Sequence, residues 1–354
     1  MQPQTISRMI NAWLLLCLIL LSAAMIIKGT AMLRESGFSI AEWKPINNIA
    51  LPADGADFQK EFESYKSLPQ FQKFFPHMEM DEFRTIYLLE YTQYVLEYML
   101  IIMLFLPLFI FSVMQALGWR SILKFLFIFG FGGLQYVAHS TMTDHSLMDD
   151  PHFLPYRMSL ELALQFTFFG LIFWQILTFS YPKQGIGGFE LPHPPVFLKI
   201  FSCLTLAVIF VQVILGGAVS GLHAGLIFNT FPQMDMTWVP DGLWPMPEWY
   251  KNLFEDAATA QFVHRMIAYG LTAVVLLFWL LGRNNPHVAH LLPILFSIFV
   301  VQFLLGVLTL LFTVPIPISS LHYANAILVF SIAVAIMHRL FIPIKTIYYD
   351  IGSG

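Results

Sequence analysis

The sequence predicts an all-α integral membrane protein of about eight transmembrane helices, arranged as two pseudo-symmetric four-helix bundles. Three observations predict it. Hydrophobic residues make up 57% of the 354 residues and charged ones only 11%, less than half the roughly 25% that a soluble domain carries. Apolar runs long enough to cross a bilayer recur at 9–28, 86–114, 121–141, 158–180, 198–219, 257–282, 290–313 and 321–343. Short patterns in the first half also return in the second, in the same order.

The first run is preceded by Arg8 and contains Ser22-Ala-Ala24, so a cleaved signal peptide competes with a retained span. Its length and the lack of a convincing small-x-small site favour the span. Lys and Arg in the short connections set the orientation. Arg8, Arg120, Lys124, Lys183, Lys199, Arg283, Arg339 and Lys345 share one side, against Arg157 and Lys251 on the other. Both termini are therefore expected in the cytoplasm, with extracytoplasmic loops at about 28–85 and 222–256. A bacterial inner membrane is the expected location. Cys17 and Cys203 both lie in apolar runs, which supports neither a disulfide framework nor a cysteine metal site. A net charge of −4 and no nucleic-acid motif leave no basic footprint for that class of partner.

The expected halves are 1–180 and 181–354. The second span of each reads Glu90-Tyr-Thr-Gln-Tyr-Val-Leu-Glu-Tyr98 and Gln261-Phe-Val-His-Arg-Met-Ile-Ala-Tyr269, which places Gln93 over His264. Leu134-Gln-Tyr136 answers Val301-Gln-Phe303, Glu161 falls on His322, and Ser36-Gly-Phe38 answers Ala224-Gly-Leu226. Parallel repeats of this kind present a ligand site once per half.

His264 and His322 lie inside spans, where a titratable group is costly and usually functional. Two imidazoles on separate helices at similar depth fit axial ligation of a heme iron. Interhelical hydrogen bonding is the bland alternative. Gly216, Gly217, Gly221 and Gly225, with Gly306 on the seventh span, allow close helix approach or room for a macrocycle. Arg265 and Lys251 are candidates to pair with carboxylates of such a group. His223, His287, His290 and His338 read as solvated or interfacial.

A resemblance adds to this. Asn252-Leu-Phe-Glu255, Gln261-Phe-x-His-Arg265, Ala224-Gly-Leu-x-x-Asn-Thr-Phe-Pro232 with Met234-Asp235, and Leu321-His322 resemble the heme A synthase family. So do Glu35-Ser-Gly-Phe-Ser-Ile-Ala-Glu-Trp-Lys-Pro45 and Pro155-Tyr-Arg157. The resemblance covers nearly the whole chain, and the lack of loop cysteines is closest to the proteobacterial and mitochondrial branch. It implies an eight-helix duplication whose second half binds heme b through His264 and His322, with Arg265 beside them. The first half would take heme O and oxidise a methyl group to the formyl of heme A for cytochrome oxidase. The resemblance implies heme O as substrate, and heme O synthase, oxidase assembly factors and a homo-oligomer as candidate partners.

The first half departs from the family pattern, which has Glu-Trp-x-His-Arg on its second helix and a histidine on its fourth. Glu90 occupies the catalytic glutamate position, while Gln93 and Glu161 stand where the histidines would be. Glu97 shares the face of Glu90 and Gln93, and His139 stands where the family has a small residue. Three readings follow. A divergent synthase would use His139 or Glu161 as replacement ligand and Glu90 as proton acceptor. A relic half would leave a non-catalytic heme b membrane protein, an assembly or electron-transfer factor. Glu90, Glu97, Glu161 and His139 could instead hold a non-heme metal.

Overall fold

The computed structural model describes residues 3–35, 51–52, 54–67, 71, 77–142, 153–180 and 193–342. Its helices are α1 (Pro3–Glu35), α2 (Gly55–Lys66), α3 (Met80–Val113), α4 (Trp119–Met142), α5 (Phe153–Ser180) and α6 (Val196–Gly221). A 3-10 turn at Ala224–Leu226 follows, then α7 (Lys251–Glu255), α8 (Ala257–Gly282), α9 (Leu291–Leu311) and α10 (Ile316–Phe341). Eight of them, α1, α3, α4, α5, α6, α8, α9 and α10, are long and apolar enough to cross a membrane. The chain is a multi-pass, all-helical membrane protein, and its only β pairing among the described residues is an isolated bridge between Met234 and Thr237.

Some helices begin before their apolar runs, because residues that read as connection start the helix. Apolarity places the eighth span at 321, but α10 begins at Ile316 because Pro315 caps it and Pro317 sits in its first turn, where the missing N–H costs nothing. His322 therefore lies two turns inside its helix, not at its very start. In α8 the Asp256 carboxylate accepts from the Thr259 N–H at 2.8 Å, the usual side-chain solution for a helix N-terminus. His264 then also falls two turns in. Apolarity puts the second span at 86, yet α3 starts at Met80 with Asp81 and Glu82 in its first turn, where carboxylates complement the helix dipole.

The stretch expected to be a long loop contains α2. Asp54 caps it by accepting from the N–H groups of Ala56 and Asp57. Phe58, Phe62 and Tyr65 then pack with Phe71 onto Phe83, Ile86 and Tyr87 of α3. Phe62 and Phe83 lie 4.8 Å apart between ring centroids. This aromatic layer is carried on the same α3 face that buries Glu90 and Gln93 further along.

Pairings among the first four spans recur in the last four: α1 packs on α3 and α5, and α4 on α5, while α6 packs on α8 and α10, and α9 on α10. This is compatible with two pseudo-symmetric bundles. The halves join through α5 with α6, α1 with α10, and α5 with α10, and one apolar core runs through both. The α5–α6 seam depends on glycine. A Cβ on Gly217 would stand 2.8 Å from the Ser159 backbone, and one on Gly221 2.6 Å from that of Pro155. Backbone cannot give way as a flexible side chain can. Gly221→Val is expected to lower the Tm of the purified protein through overpacking of about 1–3 kcal/mol or more, checked by thermal unfolding in detergent; an unchanged Tm would contradict it.

Cys17 is buried in the first half, and Cys203 on α6 is exposed. His287 and His338 are not solvated: they are 2% and 0% exposed. His338 Nε2 lies 3.1 Å from the Thr178 hydroxyl, and its ring meets Trp174 edge-on, so the end of α10 is packed against α5 instead of frayed into water.

Candidate functional site

His264 of α8 and His322 of α10 both line a cavity of about 430 Å³ within the second half. That volume lies in the range of small-molecule cofactor sites. Gly29 of α1 and Met158, Leu162 and Phe166 of α5 complete its wall from the first half, and Leu226 and Phe231 belong to its roof. Two glycines give the imidazoles their space. A Cβ on Gly216 would touch His264 Cε1 at 3.6 Å, and one on Gly306 would press on His322 Cε1 at 3.0 Å.

Each imidazole has its own support. Gln302 of α9 places its Nε2 3.2 Å from His322 Nε2 and 3.3 Å from Nδ1. Gln302 is itself held, since its Oε1 accepts from Asn325 Nδ2 at 2.9 Å, and Asn325 also donates to the Ile298 carbonyl. Such outer partners orient a ligand ring. On the other side Gln212 of α6 donates to the backbone carbonyl of His264 at 2.9 Å, while His264 Nδ1 has no partner among the described residues.

The cavity collects further orphaned polar atoms: Gln212 Oε1, Gln261 Oε1, Arg265 Nε and Thr309 Oγ1 are buried without a partner among the described residues, and all four residues line it. Buried polar atoms are nearly always satisfied, so several around one cavity point to a polar ligand there. An iron porphyrin fits that demand. Two imidazoles supply nitrogen donors of the right type, flanked by glycines and enclosed by largely apolar walls.

Arg265 lines the cavity, but its terminal nitrogens are spent on the roof. Nη1 donates to the carbonyls of Thr230 (2.9 Å) and Gln233 (3.3 Å), and Nη2 to that of Phe228 (2.7 Å). Gln261 also donates to the Phe228 carbonyl, Tyr269 to that of Pro232, and Asn229 to those of Gly225 and Leu310. The Ala224–Pro232 motif is thus stitched down over the cavity by residues of α8. Lys251, proposed as a carboxylate partner, lies instead near Glu248 at 3.8 Å.

Two further motifs from the sequence meet each other. Asn252, fully buried, exchanges hydrogen bonds with the Met246 backbone and donates to the Glu248 carbonyl. Tyr156 donates to Glu255 at 2.9 Å and stacks on Phe254 with centroids 4.8 Å apart. The Pro155-Tyr-Arg157 and Asn252-Leu-Phe-Glu255 segments therefore clamp the halves together beside the cavity. Asn252→Ala is expected to cost about 1–3 kcal/mol by removing three hydrogen bonds to the Met246 and Glu248 backbone; a chemical-denaturation midpoint equal to wild type would contradict it.

The first half is arranged differently. Glu90 and Gln93 are buried on α3, at 6% and 8% exposure, and Gln93 donates to Glu97 Oε1 at 3.0 Å. Glu161 of α5, with no exposure, is held by Arg157 Nε on Oε1 at 3.3 Å and by Lys28 Nζ of α1 on Oε2 at 3.1 Å. The expected gathering of carboxylates does not form around Glu161, which is surrounded by two cations. Among the described residues no group of three or more histidine, cysteine or carboxylate side chains could hold a metal ion. His139 lies on α4, but its side chain falls outside the described residues, as do Asp144 and His145. Sequence reasoning missed Lys28 and Arg157, having assigned both to connections; the four-residue spacing of Arg157 and Glu161 was the available signal.

The fold and the cavity define a class: a polytopic helical membrane protein carrying an imidazole-bearing cofactor cavity in its second four-helix set. Comparison with known sequences narrows the class. The chain belongs to the COX15-CtaA family of cytochrome oxidase assembly proteins, whose profile matches residues 11–334. It is 34% identical over 342 residues to the heme A synthase of Nitrosospira multiformis, covering 96% of this chain and 95% of that one. The heme A synthase of Parvibaculum lavamentivorans is 34% identical over 331 residues, covering 93% of each chain. That of Nitrosomonas eutropha is 33% identical over 339 residues, covering 94% and 93%.

Proposed function

We propose that the chain is a heme A synthase, an oxidoreductase that converts the methyl group of heme O to the formyl group of heme A for cytochrome oxidase assembly. The observation that carries this reading is the paired-histidine cavity in a chain collinear with proteins of that name. We place it in a bacterial inner membrane with both termini cytoplasmic, on the distribution of Lys and Arg in its short connections.

Bound in the cavity, heme b would supply reversible one-electron transfer. His264 and His322 would be its axial ligands, with Gln302 and Asn325 orienting the second. Arg265, Gln261 and Tyr269 hold down the roof of the site. In the first half, Glu90 would accept the proton released as the substrate methyl is oxidised. Position 139 lies at the register of Gly306 when Gln135 is set over Gln302, which keeps His139 as the candidate substrate ligand. Heme O synthase and oxidase assembly factors are the partners this activity calls for.

One observation favours a second reading, a non-catalytic heme b protein. Two polar groups at the substrate-side positions are already committed within the protein, Gln93 to Glu97 and Glu161 to Lys28 and Arg157, as expected of a relic site. Pigment extraction from protein purified after co-expression with a heme O synthase separates the two. Heme b together with heme O or A is expected; heme b alone would favour the relic. Gly306→Ala is expected to reduce the heme-to-protein ratio by displacing His322, and a wild-type ratio would count against the ligand assignment.

A further inference from the structure

We propose that Glu161 is a charge-locked strut joining α1 to α5, so that α5 offers a heme in the first half no iron donor at the register of His322. Glu161 stands at the register of His322, the position from which the second half presents an imidazole. Both of its oxygens are engaged: Oε1 with Arg157 Nε at 3.3 Å and Oε2 with Lys28 Nζ at 3.1 Å. All three residues are buried, at 0%, 4% and 5% exposure. An oxygen turned to iron would have to leave its cation, and a buried charge that loses its counter-charge is strongly destabilising.

The companion position is committed as well, because Gln93 donates along its own helix to Glu97 at 3.0 Å. The lock also borders the cofactor cavity. The residues that follow its members, Gly29, Met158 and Leu162, all line that cavity. Tyr323, the neighbour of His322, donates to Gln165 at 3.1 Å, one turn beyond Glu161. Its ring fits beside α1 because residue 29 is glycine, where a Cβ would come within 2.8 Å. The lock therefore holds the partition between the halves whether or not a heme occupies the first. Resting on the reading of that half as the substrate side, fewer protein donors mean a more weakly held heme, which suits a group that enters as substrate and leaves as product.

The test uses the full-length protein purified with its own heme, in the variants Glu161→Gln, Lys28→Met and Lys28→Met/Glu161→Gln. Thermal unfolding, heme-to-protein ratio and the low-spin EPR signal are read for each. Glu161→Gln is expected to lower the Tm by several degrees with ratio and signal unchanged. The double variant should recover part of that loss, because Lys28 no longer lacks its counter-charge; pairs in contact are non-additive in this way. If Glu161→Gln fails to accumulate while the double variant does, the lock is supported. A lower heme ratio or altered low-spin signal at unchanged Tm would overturn it, as would a double variant no more stable than the sum of the single losses. Retention of the full heme ratio in His264→Ala would instead sink the cofactor reading, independently of the Glu161 result.

Discussion

Replacing His322 with alanine is expected to strip the protein of its tightly bound heme, and His264→Ala to do the same. Both imidazoles line one cavity, two turns into their helices, and among the described residues neither ring has a carboxylate or backbone carbonyl as hydrogen-bond partner. Loss of either imidazole would remove one of the two nitrogen donors proposed to hold the heme. Loss of the bound group also removes the stabilisation that ligand binding confers on the folded state, so the Tm should fall with the heme. Gln302 gives a graded comparison: Gln302→Ala keeps both donors but frees the His322 ring and breaks the link to Asn325. Supporting partners of this type are worth about 10–100-fold in affinity, so Gln302→Ala should retain heme at lower occupancy. The check is the pyridine hemochrome ratio of the purified variants, and a normal low-spin spectrum in both histidine variants would sink the assignment.

The second large effect is on turnover. Glu90→Gln is expected to lower heme A yield by about 10²–10⁴-fold, the usual contribution of a positioned acid or base, while heme b content stays at the wild-type level. The change preserves volume and hydrogen-bonding capacity but removes the carboxylate proposed to accept a proton. Glu90 is carried on α3, a helix that contributes nothing to the wall of the cofactor cavity, so the two readouts separate. Pigments are extracted and resolved by chromatography, with heme A normalised to heme b. Wild-type heme A from Glu90→Gln would remove the residue from the chemistry.

Much of the fold was legible because the bilayer imposes length and apolarity on every span; all eight spans are where hydropathy puts them. Their ends were not, because Pro155, Pro317 and the acidic first turn of α3 read as connection while continuing the helix. α2 escaped for a related reason: its apolar residues are aromatic and few, and they become a core only against Phe83 and Tyr87. The histidine pair stood out because an imidazole in an apolar run is rare. The lock did not, since Lys28 and Arg157 sit near helix ends, where cations usually reach water. Only tertiary packing turns Lys28 toward Glu161, whereas Arg157 reaches it along its own helix. Arg265 shows the same limit, its position at the cavity being legible and its commitment to the roof carbonyls not.

The central claim is that one half holds the redox cofactor and the other transforms a substrate heme. It is tested most directly by expressing the chain with a heme O synthase in a host that makes no heme A, and measuring heme A in the membranes. Heme A is predicted in the wild type and its loss in both Glu90→Gln and His264→Ala, with heme b retained only in the former. Absence of heme A from the wild type, with heme b bound and heme O present, would contradict the account.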